Sequence, residues 1–279
     1  MSAQKPRLLF VGAFPPEGKQ IFGGNVTDCR ALMQSSFSER LELDLIDSTQ
    51  ISHPPPAFPV RLLLAIRRFL TFIGRFERLR PNAVLLFVAI GASVIEKGAM
   101  SWYSRLRGVP TLMFPRGGAW IDTCKRSQFA CWWTKAAFGG AHKLLCQGPT
   151  GQEFAVSVLG FSHEDAPIIP NWTASGALLA IGSERIRAPR NGLVRFLFLG
   201  WLDREKGIFE LLEACQHLLP AKHFMLDVVG EGNASTSARA VVDKNGLRPL
   251  VTFHGWLQGV ALERVFKEAD VLVLPSLLD

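Results

Sequence analysis

Short apolar runs recur along this chain, and longer amphipathic segments separate them. Runs that are almost wholly apolar are typical of parallel strands whose two faces are both covered. The segments between them have the length and the period of helices. This alternation predicts an α/β protein built on parallel sheets. The predicted strands are 8–11, 41–46, 84–88, 111–114, 143–146 and 168–169, followed by 195–199, 224–229, 251–253 and 271–274.

The strands form two series, which predicts two doubly wound domains. Residues 176–192 separate the series and are rich in Gly, Ala, Ser and Pro, so we expect a linker there. The first domain is then 1–175 and the second is 193–279. The predicted helices are 24–36, 60–79, 92–106 and 152–159 in the first domain and 208–219, 235–245 and 259–267 in the second.

Composition limits the function classes. The formal net charge of +7 favours an anionic partner such as a nucleotide or an anionic membrane face. We expect no nucleic-acid binding, because the basic residues accompany no recognition motif. The five cysteines form no C-x-x-C pair and no zinc-like cluster, which indicates reduced thiols and no metal. No apolar run has the length of a membrane span, so we expect a cytoplasmic protein that is soluble or peripheral on the inner face of the cell membrane.

The candidate binding residues follow the predicted strands, because ligands of such folds lie at the carboxyl ends of strands. Gly23 and Gly24 open the first helix, where backbone N–H groups and the helix dipole favour an anion. Arg204 and Lys206 precede a helix of the second series and could meet a diphosphate. Taken alone, each segment is equally compatible with an ordinary solvated loop.

Four motifs of the second series, in this order and spacing, resemble family 4 retaining glycosyltransferases. They are Phe198-Leu199-Gly200 with Lys206-Gly207, Val229-Gly230-Glu231-Gly232, Phe253-x-Gly255-Trp256-Leu257, and Ala269-Asp270-Val271 with Pro275-Ser276. The first series agrees more loosely, through Phe114-Pro115-Arg116-Gly117-Gly118 and Ile169-Pro170-Asn171. The resemblance therefore extends over nearly the whole chain.

The resemblance implies a GT-B fold, with two Rossmann-like domains. It also implies transfer of a sugar from a nucleotide diphosphate sugar to a glycan or lipid-linked acceptor, with retention and without a metal or other cofactor. Bacterial surface polysaccharide or lipopolysaccharide would be the expected product. The donor-binding residues implied in this way are Gly23, Gly24, Arg204, Lys206, Gly230 and Glu231.

Three positions depart from the family pattern. Trp201 stands where an arginine is common, and Arg116 occupies the region of a common histidine, so we assign Arg116 a catalytic role. Asp279 falls on the first carboxylate of the E-x7-E motif, as a second catalytic candidate, and the second carboxylate would lie beyond it. We therefore expect the second domain to be incomplete. An inactive fragment or pseudo-enzyme, or a nucleotide-sugar epimerase, stays open as an alternative.

Residues 60–80 form a basic amphipathic stretch with six arginines among leucine, isoleucine and phenylalanine. A helix of this composition can lie on an anionic membrane, which would suit a lipid-linked acceptor. The competing interpretation is a crossover helix with a solvated basic edge. A second cluster, around Trp132 and Trp133, is compatible with a sugar platform or with helix packing.

Overall fold

The computed structural model describes residues 5–15, 24–49, 56–89, 91–172, 174–184, 192–220 and 223–277. The chain divides into two compact units, Met1–Thr173 and Ala174–Asp279. Both units are α/β, as predicted. The division falls within two residues of the predicted end of the first domain.

The first unit is built on a five-stranded parallel sheet with the order β2-β1-β3-β4-β5. The strands are β1 (Arg7–Gly12), β2 (Glu42–Asp47), β3 (Ala83–Val88), β4 (Thr111–Pro115) and β5 (Lys143–Leu144). A single parallel bridge from Cys146 to Ile168 extends the sheet beyond β5. Strand order reverses between β1 and β3, so the loops after these two strands flank the switch point of this sheet.

Two helical layers cover the sheet of the first unit. The helices are α1 (Gly24–Met33), α2 (Ser36–Arg40), α3 (Phe58–Leu79), α4 (Ala92–Leu106), α5 (Ala119–Arg126), α6 (Gln128–Phe138) and α7 (Pro149–Phe154), which continues as a wider turn over Ala155–Leu159. Along β1, Leu9 and Val11 face the core under α3 to α7, whereas Leu8 and Phe10 face the core under α1 and α2. Alternate residues of one strand thus build the two cores.

Three helices of the first unit were missing from the prediction: the short α2, and α5 and α6, which follow one another. The segment is rich in aromatic residues, which have modest helix propensity, so its pattern gave no helical signal. In the structure the Ser127 side chain caps α6 by accepting a hydrogen bond from the Ala130 amide at 3.2 Å. Phe138 and Ala137 then bury one face of α6 in the core. Tertiary packing therefore decides the conformation here.

The second unit has a four-stranded parallel sheet with the order β8-β7-β6-β9. The strands are β6 (Val194–Leu199), β7 (Phe224–Val229), β8 (Val251–Gly255) and β9 (Val271–Leu272), and the helices are α8 (Gly176–Glu184), α9 (Ile208–Leu218), α10 (Ser235–Lys244) and α11 (Gly259–Glu268). Helices α9 and α10 cover one face of the sheet, and α11 covers the other. The change of face places the switch point between β6 and β9.

The prediction of a linker over 176–192 was wrong for its first half. Gly176–Glu184 forms helix α8, which packs against α11 inside the second unit. The segment contains Ala177, Leu178, Leu179 and Ala180, which are strong helix formers. The flanking Gly and Ser residues had suggested a loop. Residues 185–191 lie outside the described residues.

A buried ionic cluster crosses the second sheet. Asp227 is 2% exposed, and its carboxylate accepts from Arg195 Nε at 2.6 Å and pairs with His254 Nε2 at 2.6 Å. Arg195 also meets Glu268 at 3.0 Å. Burial by itself raises the pKa of the Asp227 carboxyl, but the hydrogen bonds from Arg195 and His254 outweigh burial and hold the pKa below its ordinary value. The cluster links β6, β7 and β8 on the face covered by α11.

The substitution Asp227→Asn should destabilise the second unit by about 1–3 kcal/mol at pH 7, because Arg195 loses its charged acceptor. A carboxylate with a lowered pKa stabilises the fold above its unfolded pKa, and this stabilisation is lost as pH falls through the lower folded pKa. The difference in unfolding free energy between variant and wild type should therefore shrink below about pH 4. Urea unfolding between pH 3 and 7 measures it.

The matched control is Asp243→Asn in the same unit. Asp243 pairs with Arg248, and both side chains are largely exposed. Its removal should change stability much less than the removal of Asp227. Equal losses from the two substitutions, or a loss from Asp227→Asn that persists unchanged at pH 3, would contradict the assignment.

Candidate functional site

The carboxyl edge of the second sheet carries most of the predicted donor-binding residues. The loop after β6 begins at Gly200, forms a short turn at Arg204–Lys206 and leads into α9. The segment after β9 touches this turn, since the Leu277 amide donates to the Glu205 carbonyl at 2.8 Å. The loops after β6 and β9 thus meet at the switch point, which is where sheets of this type bind ligands.

Gly207 allows the loops after β6 and β9 to come into contact. Its φ of 73° is left-handed, and a Cβ at this position would overlap the carbonyl oxygen of Pro275. A residue with a side chain would therefore suffer both backbone strain and a clash. Because α9 starts at the next residue, Gly207 fixes the position of Lys206 at the amino end of that helix.

Gly230 plays a similar part after β7. Its φ is 138°, and a Cβ there would overlap the Gly200 carbonyl oxygen. Its amide donates to the Gly255 carbonyl at 2.8 Å. The sequence suggested that glycine at this position leaves room for a ligand, but the group that approaches is the backbone of the neighbouring strand end. Contact of Gly230 with a nucleotide stays a prediction.

Cationic groups lie beside the start of α9. Lys206 is partly exposed and Arg204 is exposed. In the described ranges, no ion pair engages either residue. The positive end of the α9 dipole lies next to them and adds to their field. The turn can therefore attract an anion.

Glu231 contacts a residue of helix α10. Its side chain is 48% exposed and lies 3.7 Å from Arg239, measured between Oε1 and Nη2. The Arg239 guanidinium stacks over the Phe253 ring at 4.5 Å. These contacts give Glu231 a partner on α10. The predicted contact between Glu231 and a donor stays a prediction.

A tryptophan pair joins two strand ends and was not predicted. Trp201 follows β6, Trp256 follows β8, and their ring centroids are 5.3 Å apart. Such a contact contributes about 0.5–1.5 kcal/mol beyond burial. The sequence held a signal, because Gly-Trp-Leu occurs at both 200–202 and 255–257. Trp201, which departs from the family pattern, therefore connects the ends of β6 and β8 by packing on Trp256.

The first unit carries the remaining candidates. Gly24 is exposed and begins α1. Gly23 and Asp279 lie outside the described residues, so their predicted roles stay predictions. The loop after β1 is tied to the sheet, because the Phe14 amide donates to Asp47 at 3.0 Å and the Ala13 amide to Cys29 Sγ at 3.3 Å. Burial raises the pKa of the Cys29 thiol to about 12, so the thiol stays protonated.

Arg116 lies in a buried aromatic cage just after β4. Its side chain is 5% exposed and pairs with Asp28 on α1. The guanidinium stacks over the rings of Phe87, Phe114 and Trp172 at 5.3, 4.6 and 5.2 Å. Its Nε and Nη1 have no hydrogen-bond acceptor among the described residues, and the surrounding π-faces take that place. Burial raises the pKa of the Asp28 carboxyl, and Arg116 opposes that rise.

A polar chain extends this cage along the carboxyl edge of the first sheet. Arg116 Nη2 donates to the Asn171 side chain at 2.9 Å. Gln147 donates to the same oxygen and accepts from the Gly117 amide at 2.6 Å. The residues that follow β4, β5 and the last bridge are thus connected to α1. The geometry gives Arg116 a positioning function, and its direct contact with a substrate stays a prediction.

The chain is similar to known glycosyltransferases. Residues 184–279 match the family of glycosyl transferases group 1. This match falls within the second unit, which is therefore similar to that family. The uncharacterized glycosyltransferase MJ1607 of Methanocaldococcus jannaschii is 32% identical over 83 residues, which is 30% of this chain. That match spans 21% of the relative's own length.

Solved structures match over both units. The lipopolysaccharide outer core galactosyltransferase WaaB in its apo form has a TM-score of 0.60 at 17% identity, over 97% of this chain and 74% of that one. Anabaena Alr3699/HepE in complex with UDP-glucose has a TM-score of 0.58 at 13% identity, over 97% of this chain and 74% of that one. At such identities the likeness concerns the fold. The predicted GT-B fold is confirmed.

The described residues include no helix that is long and apolar enough to cross a membrane. They also include no group of three or more His, Cys, Asp or Glu residues arranged to hold a metal ion. All five thiols are free.

The substitution Asp28→Asn should destabilise the first unit by roughly 3–5 kcal/mol, because it leaves the Arg116 guanidinium buried without a counter-charge. Thermal unfolding followed by circular dichroism measures the loss. The control is Glu77→Gln, which breaks an exposed pair with Arg107 in the same unit and should have little effect. A wild-type melting temperature for Asp28→Asn would show that the pair does not hold α1.

Proposed function

We propose that the protein transfers a sugar from a nucleotide diphosphate sugar to a glycan or lipid-linked acceptor, with retention of configuration. The observation that carries this proposal is the Arg204–Lys206 turn at the start of α9, inside the segment that matches group 1 glycosyltransferases. The structure of HepE with UDP-glucose supports a donor of this class. The name of WaaB supports a role in lipopolysaccharide or another surface polysaccharide.

In this proposal the donor diphosphate lies against the turn. As the bond to the sugar breaks, negative charge accumulates on the departing nucleoside diphosphate. Lys206 and Arg204 would stabilise that charge together with the backbone N–H groups of α9, which are already fixed in direction. These groups would replace the divalent cation that many phosphate-binding enzymes use. No metal or other cofactor is part of the proposed reaction.

The first unit would bind the acceptor. Gly24 at the start of α1 would contact that acceptor, and Arg116 would hold α1 in place through Asp28. We also propose that residues 60–80 touch an anionic membrane from the cytoplasmic side. Six arginines and the exposed apolar residues of α3 support that contact.

The proposal predicts that Lys206→Ala weakens binding of a nucleoside diphosphate by roughly 10- to 100-fold, since one charge-assisted contact is lost. Binding of the matching nucleoside should change little, because it has no phosphate. Calorimetric titration with UDP, GDP and ADP, each compared with its nucleoside, measures both effects. The nucleoside diphosphate that binds the wild-type chain most tightly, together with its nucleoside, is then titrated into the variant.

Lys244→Ala is the matched control. It removes the same charge from the exposed end of α10 in the same unit and should leave both affinities unchanged. Lys206→Arg should restore much of the diphosphate affinity. An equal loss for the nucleoside and its diphosphate would refute the role of Lys206. Release of nucleotide from a donor sugar by the wild-type chain tests the transfer itself.

A further inference from the structure

The exposed apolar residues of the first unit are concentrated in one helical layer. Among its described residues, every exposed large hydrophobic side chain except Ile168 lies on α3, α4 or α6. None lies on α1 or α2, which cover the opposite face of the sheet. Scattered exposed residues would need no explanation, but confinement to one layer marks a surface that contacts something apolar.

The exposed residues of α3 form a row. Leu62, Ile66 and Leu70 are spaced four residues apart and therefore share one face of the helix. They are 50%, 50% and 62% exposed. Phe72 and Phe76, which lie farther along α3, are buried in the core. The row is the exposed part of the apolar surface of α3.

The exposed residues of α6 are aromatic. Phe129, Trp132 and Trp133 are 71%, 59% and 43% exposed. Their rings contact one another, with centroids 6.4 Å apart for Phe129 and Trp132 and 5.0 Å apart for the two tryptophans. Indole rings favour the boundary between water and lipid, because they are apolar and also carry an N–H donor.

The row and the aromatic cluster lie near the same edge of the layer. Helices α3 and α4 run back from the carboxyl edge of a parallel sheet, and α6 ends just before β5 starts at the amino edge. Leu62, Ile66 and the aromatic cluster occupy the amino-terminal halves of their helices, and Leu70 lies just past the middle of α3. Helix α4 packs between α3 and α6, and a Cβ at Gly98 would lie 2.6 Å from that of Ala137. Adjacent helix axes are roughly 8–10 Å apart.

The charged residues around this surface are mostly basic. Residues 48–76 and 123–152 contain no Asp or Glu, whereas they hold four arginines of α3 and four lysines or arginines from Lys125 to Lys143. Arg68 pairs with the buried Glu96 of α4, but Arg61, Arg67, Lys125 and Arg126 are exposed. Such a surface suits an anionic lipid headgroup layer. A second copy would bring like charges together.

We infer that the first unit docks on an anionic phospholipid bilayer through two anchors, the aliphatic row of α3 and the aromatic cluster of α6. The inference rests on the proposed membrane contact of 60–80 and extends it by a second anchor and by a lipid class. The protein lies on one surface of the bilayer, and the side chains of both anchors reach past the lipid headgroups into the apolar layer. Arg61, Arg67, Lys125 and Arg126 meet the phosphates.

Co-sedimentation of the full chain with vesicles tests the inference. Vesicles of roughly equimolar phosphatidylglycerol and phosphatidylcholine should bind the chain, and vesicles of phosphatidylcholine alone should bind it at least about tenfold more weakly. Trp132→Ser with Trp133→Ser, and separately Leu62→Ser with Ile66→Ser, should each lower the partition coefficient about tenfold or more. Equal binding to both vesicle types would overturn the inference.

Leu106→Ser is the matched control, since Leu106 is 82% exposed on α4 in the same layer but at its carboxyl end. It should leave vesicle binding unchanged. Unchanged binding in the tryptophan variant would remove α6 as an anchor. A chain that is dimeric in solution and becomes monomeric in that variant would show that a second copy covers the surface instead.

The vesicle assay needs no sugar, and nucleotide binding by the second unit needs no vesicle. Both double variants should keep wild-type affinity for the nucleoside diphosphate, which also reports that they are folded. Loss of vesicle binding with intact nucleotide affinity supports the two anchors. Failure of the wild-type chain to bind nucleotide would refute the proposed function and leave the membrane result standing.

Discussion

Parallel sheets covered on both faces impose the constraint on which both units depend. Their strands must be apolar, so polar groups collect at the carboxyl edge or must bring partners into the interior. Asp227 is a polar group in the interior, and it has Arg195 and His254 as partners for its carboxylate. The Arg204–Lys206 turn lies at the carboxyl edge, where a strand ends and a helix begins. The burial of the strands therefore determines where the polar groups of both units lie, including the candidate binding residues.

Close contacts between backbones hold the edge of the second unit. Gly230 lies against the Gly200 carbonyl and donates to that of Gly255, while Gly207 lies against Pro275. Only glycine fits at Gly207 and Gly230. A contact of this kind leaves little freedom for the turn that carries Lys206. A preorganised cation stabilises developing charge better than a mobile one, because no reorganisation is needed during the reaction.

The sequence predicted the strands well, because a buried parallel strand has few alternatives to an apolar run. The prediction for β7 matches the structure at both ends, and β1 differs by one residue at each end. It failed for α5 and α6, where local composition favoured neither helix nor strand, and for α8, where flanking Gly and Ser residues suggested a loop. Motif spacing led to Lys206 and Gly230. The pairing of Arg116 with Asp28 could not be predicted, because 88 positions separate them in the chain.

The basic residues of the first unit divide into two groups with different physical roles. Arg68, Arg75 and Arg116 each meet a carboxylate of another element and fasten helix to helix or helix to sheet. Arg61, Arg67, Lys125 and Arg126 lie in stretches that contain no carboxylate. A cation that forms no ion pair with the fold and lies next to exposed apolar side chains is available to an external anion. The distribution of acids, more than that of arginines, therefore separates the cations that build the fold from those that face a partner.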